Sequence, residues 1–200
     1  MSAGRLTQTA GVVVPLRSFA LGKVRLAHAL DDAARGDLSR TMAERVVAAA
    51  GDRPVVIVSS APEVTAWAHV LGIAAIPDPG SLDGAASAGR DWVRERQLLR
   101  VVVMHADLTL ATSLDGIADD GDAPVAVLVP DHHHDGNQVL ALPAAADFVF
   151  GYGPGSCARH AAEARRCGLD VRIVEDRALG FDVDDESDLA ALATEPEPTP

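Results

Sequence analysis

Short apolar runs alternate with longer stretches of helical spacing along the first two thirds of the chain. The apolar runs contain few polar residues, which is typical of strands that are buried on both faces of a sheet. They cover 11–16, 54–59, 73–77, 100–106 and 124–130. Helical spacing covers 32–50, 62–71, 82–99 and 112–119, with Asp31 and Thr112 as candidate N-caps. This alternation predicts a parallel, doubly wound α/β sheet with helices on both faces.

The last third of the chain departs from strict alternation. Strands are expected at 137–142, 170–174 and 180–184, with a helix from 154 to 167. Two successive strands without a helix between them indicate a mixed sheet. We therefore expect one domain over 11–193, preceded by a flexible N-terminus (1–10) and followed by a disordered, acidic, proline-rich tail (194–200).

Composition is consistent with this architecture. A chain of 200 residues with 48% hydrophobic residues is long enough for one domain with a sizeable core. Its 17 basic and 29 acidic residues give a net charge of −12, which argues against binding to duplex nucleic acid. No stretch has the length and apolarity of a membrane span or of a signal peptide, so a cytoplasmic location is expected. Cys157 and Cys167 are too far apart on the predicted helix to form a local disulfide.

A basic loop follows the first predicted strand. Arg17, Lys23 and Arg25 lie in "VPLRSFALGKVRLAHAL", at the carboxyl end of that strand. Three cations at such a position suit a polyphosphate ligand, although a solvated basic surface explains them equally well. The chain lacks the P-loop motif of ordinary ATPases.

Carboxylates end two other predicted strands. Asp107 closes "VVVMHAD", and Asp182 and Asp184 lie on one face of the strand in "ALGFDVDDESDL". Two like charges on one face require a cation, either a basic side chain or a metal ion. Together the three carboxylates form a set suited to Mg²⁺, which prefers oxygen ligands.

Two further motifs contain polar side chains at predicted turns. The glycine-rich "FGYGPGSCARH" precedes a helix and suits an anion, with Ser156 at the helix start and His160 either a second anion contact or a surface residue. His132, His133 and His134 are adjacent, which is poor spacing for zinc, so a polar loop is preferred. Trp67 and Trp92 lie at helical positions typical of core packing.

In chain order these motifs resemble those of the 2-phospho-L-lactate guanylyltransferase family, which includes the phosphoenolpyruvate guanylyltransferases of deazaflavin coenzyme synthesis. The similar segments are "VPLR", "GKVRLA", "ADLT", "YGPGSCARH" and "DVDDESDL". Departures occur at Arg17 (Lys in the family), at Thr109 (Pro), at Asp83 (usually Asn) and at "DGNQ", which contains Asn137 and Gln138 where the family has Gly-Thr-Asn.

The resemblance implies a GT-A-like nucleotidyltransferase fold and transfer of GMP from GTP to a small phosphorylated carboxylic acid. It implies Mg²⁺ on Asp107, Asp182 and Asp184, with Lys23, Arg25 and Asp107 as catalytic residues. Implied nucleotide contacts are Pro15, Leu16, Arg17, Lys23, Arg25 and Asp83; implied acceptor contacts are Gly136, Asn137, Gly153 and Ser156. A nucleotidyltransferase with another acceptor and a non-catalytic phosphometabolite-binding domain are the alternatives. Neither a nucleic-acid nor a membrane partner is expected, and the oligomeric state is open.

Overall fold

The computed structural model describes residues 9–20, 22–183 and 186–193. These residues form seven strands: β1 (Ala10–Pro15), β2 (Val55–Val58), β3 (Ala74–Ile76), β4 (Arg100–Met104), β5 (Val125–Pro130), β6 (Asn137–Pro143) and β7 (Asp170–Ile173). They also form a 3-10 turn at Val24–Leu26 and the helices α1 (Asp32–Ala49), α2 (Pro62–Val70), α3 (Leu82–Glu95), α4 (Ser156–Arg166), α5 (Arg177–Gly180) and α6 (Glu186–Ala193). The predicted N-terminal segment up to residue 8, the tail from 194 and Asp184 lie outside the described residues.

The strands form one sheet in the order β3-β2-β1-β4-β6-β5-β7. All neighbouring pairs are parallel except those of β6, which runs antiparallel to both β4 and β5. The prediction of a mostly parallel, mixed sheet is therefore confirmed. Because β6 is reversed, its first residue, Asn137, lies at the same edge of the sheet as the carboxyl ends of β1 and β4.

The core lies on both faces of this sheet. Val12 and Val14 of β1 point to the face that α1 and α2 cover, whereas Val13 points to the face that α3 and α4 cover. Trp67 and Trp92 are each 7% exposed, one in each core, as predicted. Burial on both faces explains why the strand sequences are apolar without alternation.

Two predicted elements are absent from the described part of the chain. Residues 112–119 form turns instead of a helix, because Gly116 has a positive φ of 73° and only one helical turn follows Leu114. Leu114, Ile117 and Ala118 still pack into the core, which explains the misleading helical spacing. Thr112 is therefore not an N-cap, whereas the Asp31 side chain accepts a hydrogen bond from the Ala34 N–H as expected.

The strand predicted at 180–184 is also wrong. Residues up to Gly180 belong to the short helix α5, and Asp182 makes only an isolated antiparallel bridge with Leu108. The alternation of sides nevertheless holds, since Phe181 and Val183 are buried and Asp182 is partly exposed.

Helix α3 ends at Glu95 instead of 99 because Gln97 takes a positive φ of 57°.

Neither cysteine forms a disulfide, and the described part of the chain has no helix long and apolar enough to cross a membrane.

Helix α3 lies unusually close to β1. A Cβ atom added to Gly89 would lie 2.1 Å from Cγ1 of Val13, so a glycine is required at this contact.

We therefore expect Gly89→Ala to lower the free energy of unfolding by about 1–3 kcal/mol, the usual cost of overpacking a core. The matched control is Gly36→Ala in α1, where an added Cβ meets nothing within 4 Å. That variant gains helix propensity and should be stabilised by about 0.5–1 kcal/mol. Urea unfolding of both variants tests the contact, and a Gly89→Ala variant as stable as its parent would contradict it.

Candidate functional site

Adjoining cavities lie along the carboxyl edge of the sheet. The first, here the β1 cavity, has a volume of about 360 Å³ and is lined by residues of the loop after β1 and by Leu82, His105 and Asp107. An extension of about 210 Å³ shares Pro15, Leu16 and Arg17 with it. The second, here the β6 cavity, measures about 290 Å³ and lies around the start of β6. Asp107 lines both cavities and therefore lies at their boundary.

Lys23 and Asp107 form an ion pair at this boundary. Lys23 Nζ donates to Asp107 Oδ2 at 2.7 Å, and the Lys23 side chain is only 8% exposed. The Lys23 backbone has a φ of 55°, which is uncommon for a residue with a side chain. The contact with Asp107 stabilises the loop in this conformation.

Asp107 remains charged although it is partly buried. Burial by itself would raise the pKa of this carboxyl, but the charges of Lys23 and His105 and the Lys23 hydrogen bond outweigh it, so the pKa lies below its ordinary value. One oxygen, Oδ1, is buried without a hydrogen-bond partner among the described residues. The site therefore presents a carboxylate oxygen with unused acceptor capacity.

Asp182 has a basic partner that is distant in sequence. Its Oδ1 lies 3.1 Å from Nδ1 of His132, whose other ring nitrogen lies 3.5 Å from Oδ1 of Asp188. The repulsion between Asp182 and Asp184 predicted either a basic side chain or a metal ion beside them. A basic side chain, His132, lies beside Asp182. Asp184 lies outside the described residues.

The oxygens of Asp107 and Asp182 suit Mg²⁺. Both side chains line the β6 cavity, and the bridge between Leu108 and Asp182 brings the two segments together. Asp107 Oδ1 is the orphaned acceptor that such an ion would satisfy. Among the described residues no three His, Cys, Asp or Glu side chains converge as a ready metal site, and the third predicted ligand is not described.

Polar atoms without partners concentrate around the β6 cavity. They are His105 Nε2, Asp107 Oδ1, Gln138 Oε1, and Asn137 Nδ2 and the Tyr152 hydroxyl, which lie near each other but form no hydrogen bond of good geometry. Each buried polar group left unsatisfied costs about 1–3 kcal/mol, so native proteins seldom keep several together without a polar ligand or water. The β6 cavity is therefore suited to a polar ligand.

The glycine-rich turn before α4 forms one wall of this cavity. Gly153 and Gly155 have positive φ values of 106° and 72°, so only glycine adopts this backbone without strain. The Arg159 guanidinium donates to the carbonyls of four successive residues, 151 to 154, at 2.5–3.3 Å. It fixes the turn from outside the cavity.

Most backbone N–H groups of this turn have partners within the protein. Tyr152 N donates to Asp83 Oδ1, Gly155 N to Asp135 Oδ1, and Ser156 N to the Gly153 carbonyl. The predicted anion site of backbone donors at the helix start is thus largely occupied. Most of the donors left for a ligand are therefore side chains.

The structure separates the predicted site residues into two groups. Pro15, Leu16, Arg17 and Lys23 line the β1 cavity, whereas Gly136, Asn137, Gly153 and Ser156 line the β6 cavity. This is the division between predicted nucleotide and acceptor contacts. Which ligands they bind stays a prediction.

Two predicted nucleotide contacts lie elsewhere. Arg25 is exposed on the 3-10 turn and lines neither cavity, and the Asp83 carboxylate binds the Tyr152 backbone. Spacing alone did not show that Arg25 lies outside the cavity linings, or that the Asp83 carboxylate accepts a hydrogen bond from Tyr152, 69 positions later.

Sequence reasoning missed His105 and Tyr152. His105 lines both cavities two residues before Asp107, and the strand alternation at that point was a usable signal. Tyr152 is polar at the edge of a glycine-rich turn but carried no recognisable spacing. His160, predicted as an anion contact or surface residue, is completely buried instead.

Both the family model and the curated relatives that match this chain are guanylyltransferases. The sequence model of a family described as guanylyl transferase CofC-like matches residues 10–198. A phosphoenolpyruvate guanylyltransferase of Rubrobacter xylanophilus is 36% identical over 187 residues, 90% of this chain and 91% of that protein. A 2-phospho-L-lactate guanylyltransferase of Methanothermobacter thermautotrophicus is 27% identical, over 90% of this chain and 82% of that protein.

The fold is also similar to that of solved structures. A crystal structure of a nucleotide-diphospho-sugar transferase from Desulfovibrio desulfuricans superposes with a TM-score of 0.74. The match covers 94% of this chain and 87% of that chain at 16% identity, so it concerns the fold alone. The predicted nucleotidyltransferase architecture is confirmed.

Proposed function

Because this chain belongs to the CofC-like guanylyl transferase family, we propose that it transfers GMP from GTP to phosphoenolpyruvate or 2-phospho-L-lactate. The relative reported at 36% identity is named for phosphoenolpyruvate and the one at 27% for 2-phospho-L-lactate, which favours phosphoenolpyruvate. A phosphate oxygen of the acceptor forms a bond to the α-phosphorus of GTP. The bond from that phosphorus to the β-phosphate oxygen breaks, and pyrophosphate leaves.

The position of Asp107 is the observation that carries this proposal. The reaction needs two anionic substrates side by side, with charge-neutralising groups where they meet. The Asp107 carboxylate lines both the β1 cavity and the β6 cavity, so a cation bound to it would lie where the two substrates meet. GTP would occupy the β1 cavity beside Arg17 and Lys23, and the acceptor would occupy the β6 cavity beside Asn137 and Ser156.

We propose Asp107 and Asp182 as ligands of Mg²⁺, together with Asp184, which the structure does not describe. When bound, this ion would supply charge neutralisation and alignment of the reacting oxygens. The lining of the β6 cavity includes four carboxylates and no Lys or Arg among the described residues. A doubly or triply charged acceptor therefore requires a compensating cation there.

The side chains of the β1 loop would act on the nucleotide. Lys23 reaches the boundary between the cavities, so its ammonium group can neutralise the phosphates as well as Asp107. Arg17 is exposed and lines both the β1 cavity and its extension, a position suited to the leaving pyrophosphate. No general base is needed, because the acceptor phosphate is ionised at neutral pH.

The test is incubation of the protein with GTP, Mg²⁺ and each of the two acids. We expect pyrophosphate release that depends on all three components, and a new phosphoanhydride resonance in the ³¹P spectrum with phosphoenolpyruvate. ATP in place of GTP is the matched nucleotide control. Absence of pyrophosphate with both acids, or release that does not depend on the acid, would refute the proposal.

The two cavities should separate kinetically. Ser156→Ala should raise the KM for the acceptor about tenfold, the scale of one charge-assisted hydrogen bond, and leave the KM for GTP nearly unchanged. Arg17→Ala should raise the KM for GTP and lower kcat, because charge on the leaving group grows in the transition state. The same measurements on Arg165→Ala, an exposed arginine of α4 that lines neither cavity, provide the control, for which we expect both constants to stay close to those of the parent. A Ser156→Ala defect confined to GTP would show that the ligands occupy the opposite cavities.

A further inference from the structure

We propose that His160 is a positioning residue for acceptor recognition: it holds the Asn137 amide so that the Nδ2 donor faces the β6 cavity and binds the acceptor's carboxylate. The inference rests on the proposed function for the identity of the ligand. The geometry of the two side chains is independent of that function and can be tested without it.

The hydrogen bonds of His160 leave one arrangement. Gly151 N donates to His160 Nε2 at 2.9 Å, so Nε2 carries no proton and the neutral ring is protonated at Nδ1. Nδ1 lies 2.7 Å from Asn137 Oδ1, which accepts that proton's hydrogen bond. The backbone donor at Gly151 thus determines which end of the Asn137 amide faces His160.

The ring is held in its neutral form by its surroundings. His160 is completely buried, and burial lowers its pKa to about 4. The rings of Phe148 and Tyr152 lie against it, with centroids 5.6 and 4.7 Å away. A neutral ring with one donor and one acceptor, both used, cannot exchange these roles without breaking a buried hydrogen bond.

The consequence appears at the other end of the Asn137 amide. Asn137 is 2% exposed, lines the β6 cavity, and its Nδ2 makes no hydrogen bond of good geometry with the described residues. The Tyr152 hydroxyl lies near this amide: burial raises the pKa of Tyr152, and hydrogen bonding to the Asn137 side chain lowers it. Because Oδ1 is bound to His160, Nδ2 is the donor end of the amide, and of its two N–H groups one can face Tyr152 while the other binds a carboxylate oxygen of the ligand.

A neutral donor fits the charge of this cavity. Asp131 and Asp135 also line it, and each is held by backbone N–H groups: Asp131 by those of 133, 135 and 136, Asp135 by that of Gly155. A Lys or Arg placed among these carboxylates would pair with them. The Asn137 amide is neutral, and these carboxylates already accept backbone N–H groups, so its donors stay available to an anion.

The tautomer is measured first, by long-range ¹⁵N–¹H correlation of the imidazoles in the full-length protein at pH 7. We expect His160 to show a protonated Nδ1 and a bare Nε2, and the Nδ1 signal to shift in Asn137→Ala. A His160 ring protonated at Nε2, or an Nδ1 signal unmoved by Asn137→Ala, would overturn the inference whatever the enzyme's activity.

Kinetics then test the role. His160→Phe keeps the ring shape without hydrogen bonds and should raise the KM for phosphoenolpyruvate about tenfold, with the KM for GTP within about twofold. His160→Asn places an amide N–H near the position of Nδ1–H and should recover most of this loss. His69→Asn, an exposed histidine of α2, is the matched control and should behave as the parent.

A double variant separates positioning from a general loss of structure. If His160 acts through Asn137, His160→Phe adds little to Asn137→Ala, and the double variant has the acceptor KM of Asn137→Ala alone. Independent, multiplying effects, or equal increases of both KM values, would refute the inference. If His160→Phe does not fold, His160→Ala combined with Asn137→Ala gives the same comparison. A parent without guanylyl transfer refutes the proposed function, and the imidazole spectrum still decides the geometry.

Discussion

The charge on Asp107 is the constraint on which the candidate site depends. Asp107 is a partly buried carboxylate between two cavities; burial raises its pKa, but the neighbouring Lys23, in contact at 2.7 Å, helps to hold the pKa below its ordinary value. That contact also holds the loop after β1 against the wall that the two cavities share. The same electrostatic requirement recurs at Asp182, where His132 is the partner. Both carboxylates thus lie beside groups that a divalent cation or a phosphate would replace or engage.

The reversed strand β6 makes the second cavity. In a purely parallel sheet the start of a strand lies at the edge opposite to the ligand. Because β6 is antiparallel to β4, Asn137 and Gln138 instead begin at the carboxyl edge, next to His105 and Asp107. The segment that follows β6 then returns to this edge as the glycine-rich turn. Arg159 donates to the carbonyls of this turn, and His160 accepts a hydrogen bond from its Gly151 N–H. One topological reversal therefore places the acceptor side of the site beside the nucleotide side.

Much of the fold follows from the sequence because burial on both faces of a sheet leaves a plain pattern. The seven described strands lie within a few residues of seven of the eight predicted runs, and Asp31 caps α1 as its type suggests. In both failures, at 112–119 and at 180–184, apolar residues are buried in irregular segments. At 112–119 the spacing does not reveal that Gly116, with its positive φ, interrupts the helix, and at 180–184 it does not reveal that the short helix α5 extends to Gly180.

The positions of Asp107 and Arg17 at the candidate site were predictable because both follow the ends of predicted strands, whereas Asn137 was suggested by the family resemblance. The site was not predictable where partners come from remote segments. His132 lies 50 residues from Asp182, Asp83 lies 69 residues from Tyr152, and the buried pairing of His160 with Asn137 depends on an antiparallel strand.

The central claim is that Asp107 and Asp182 hold a divalent cation beside GTP. Its most direct test is calorimetric titration of Mn²⁺ into the protein with a non-hydrolysable GTP analogue. We predict one bound ion, weakened at least about tenfold by Asp182→Asn and unchanged by Asp91→Asn on the exposed face of α3. Equal affinity in Asp182→Asn and the parent would contradict the account.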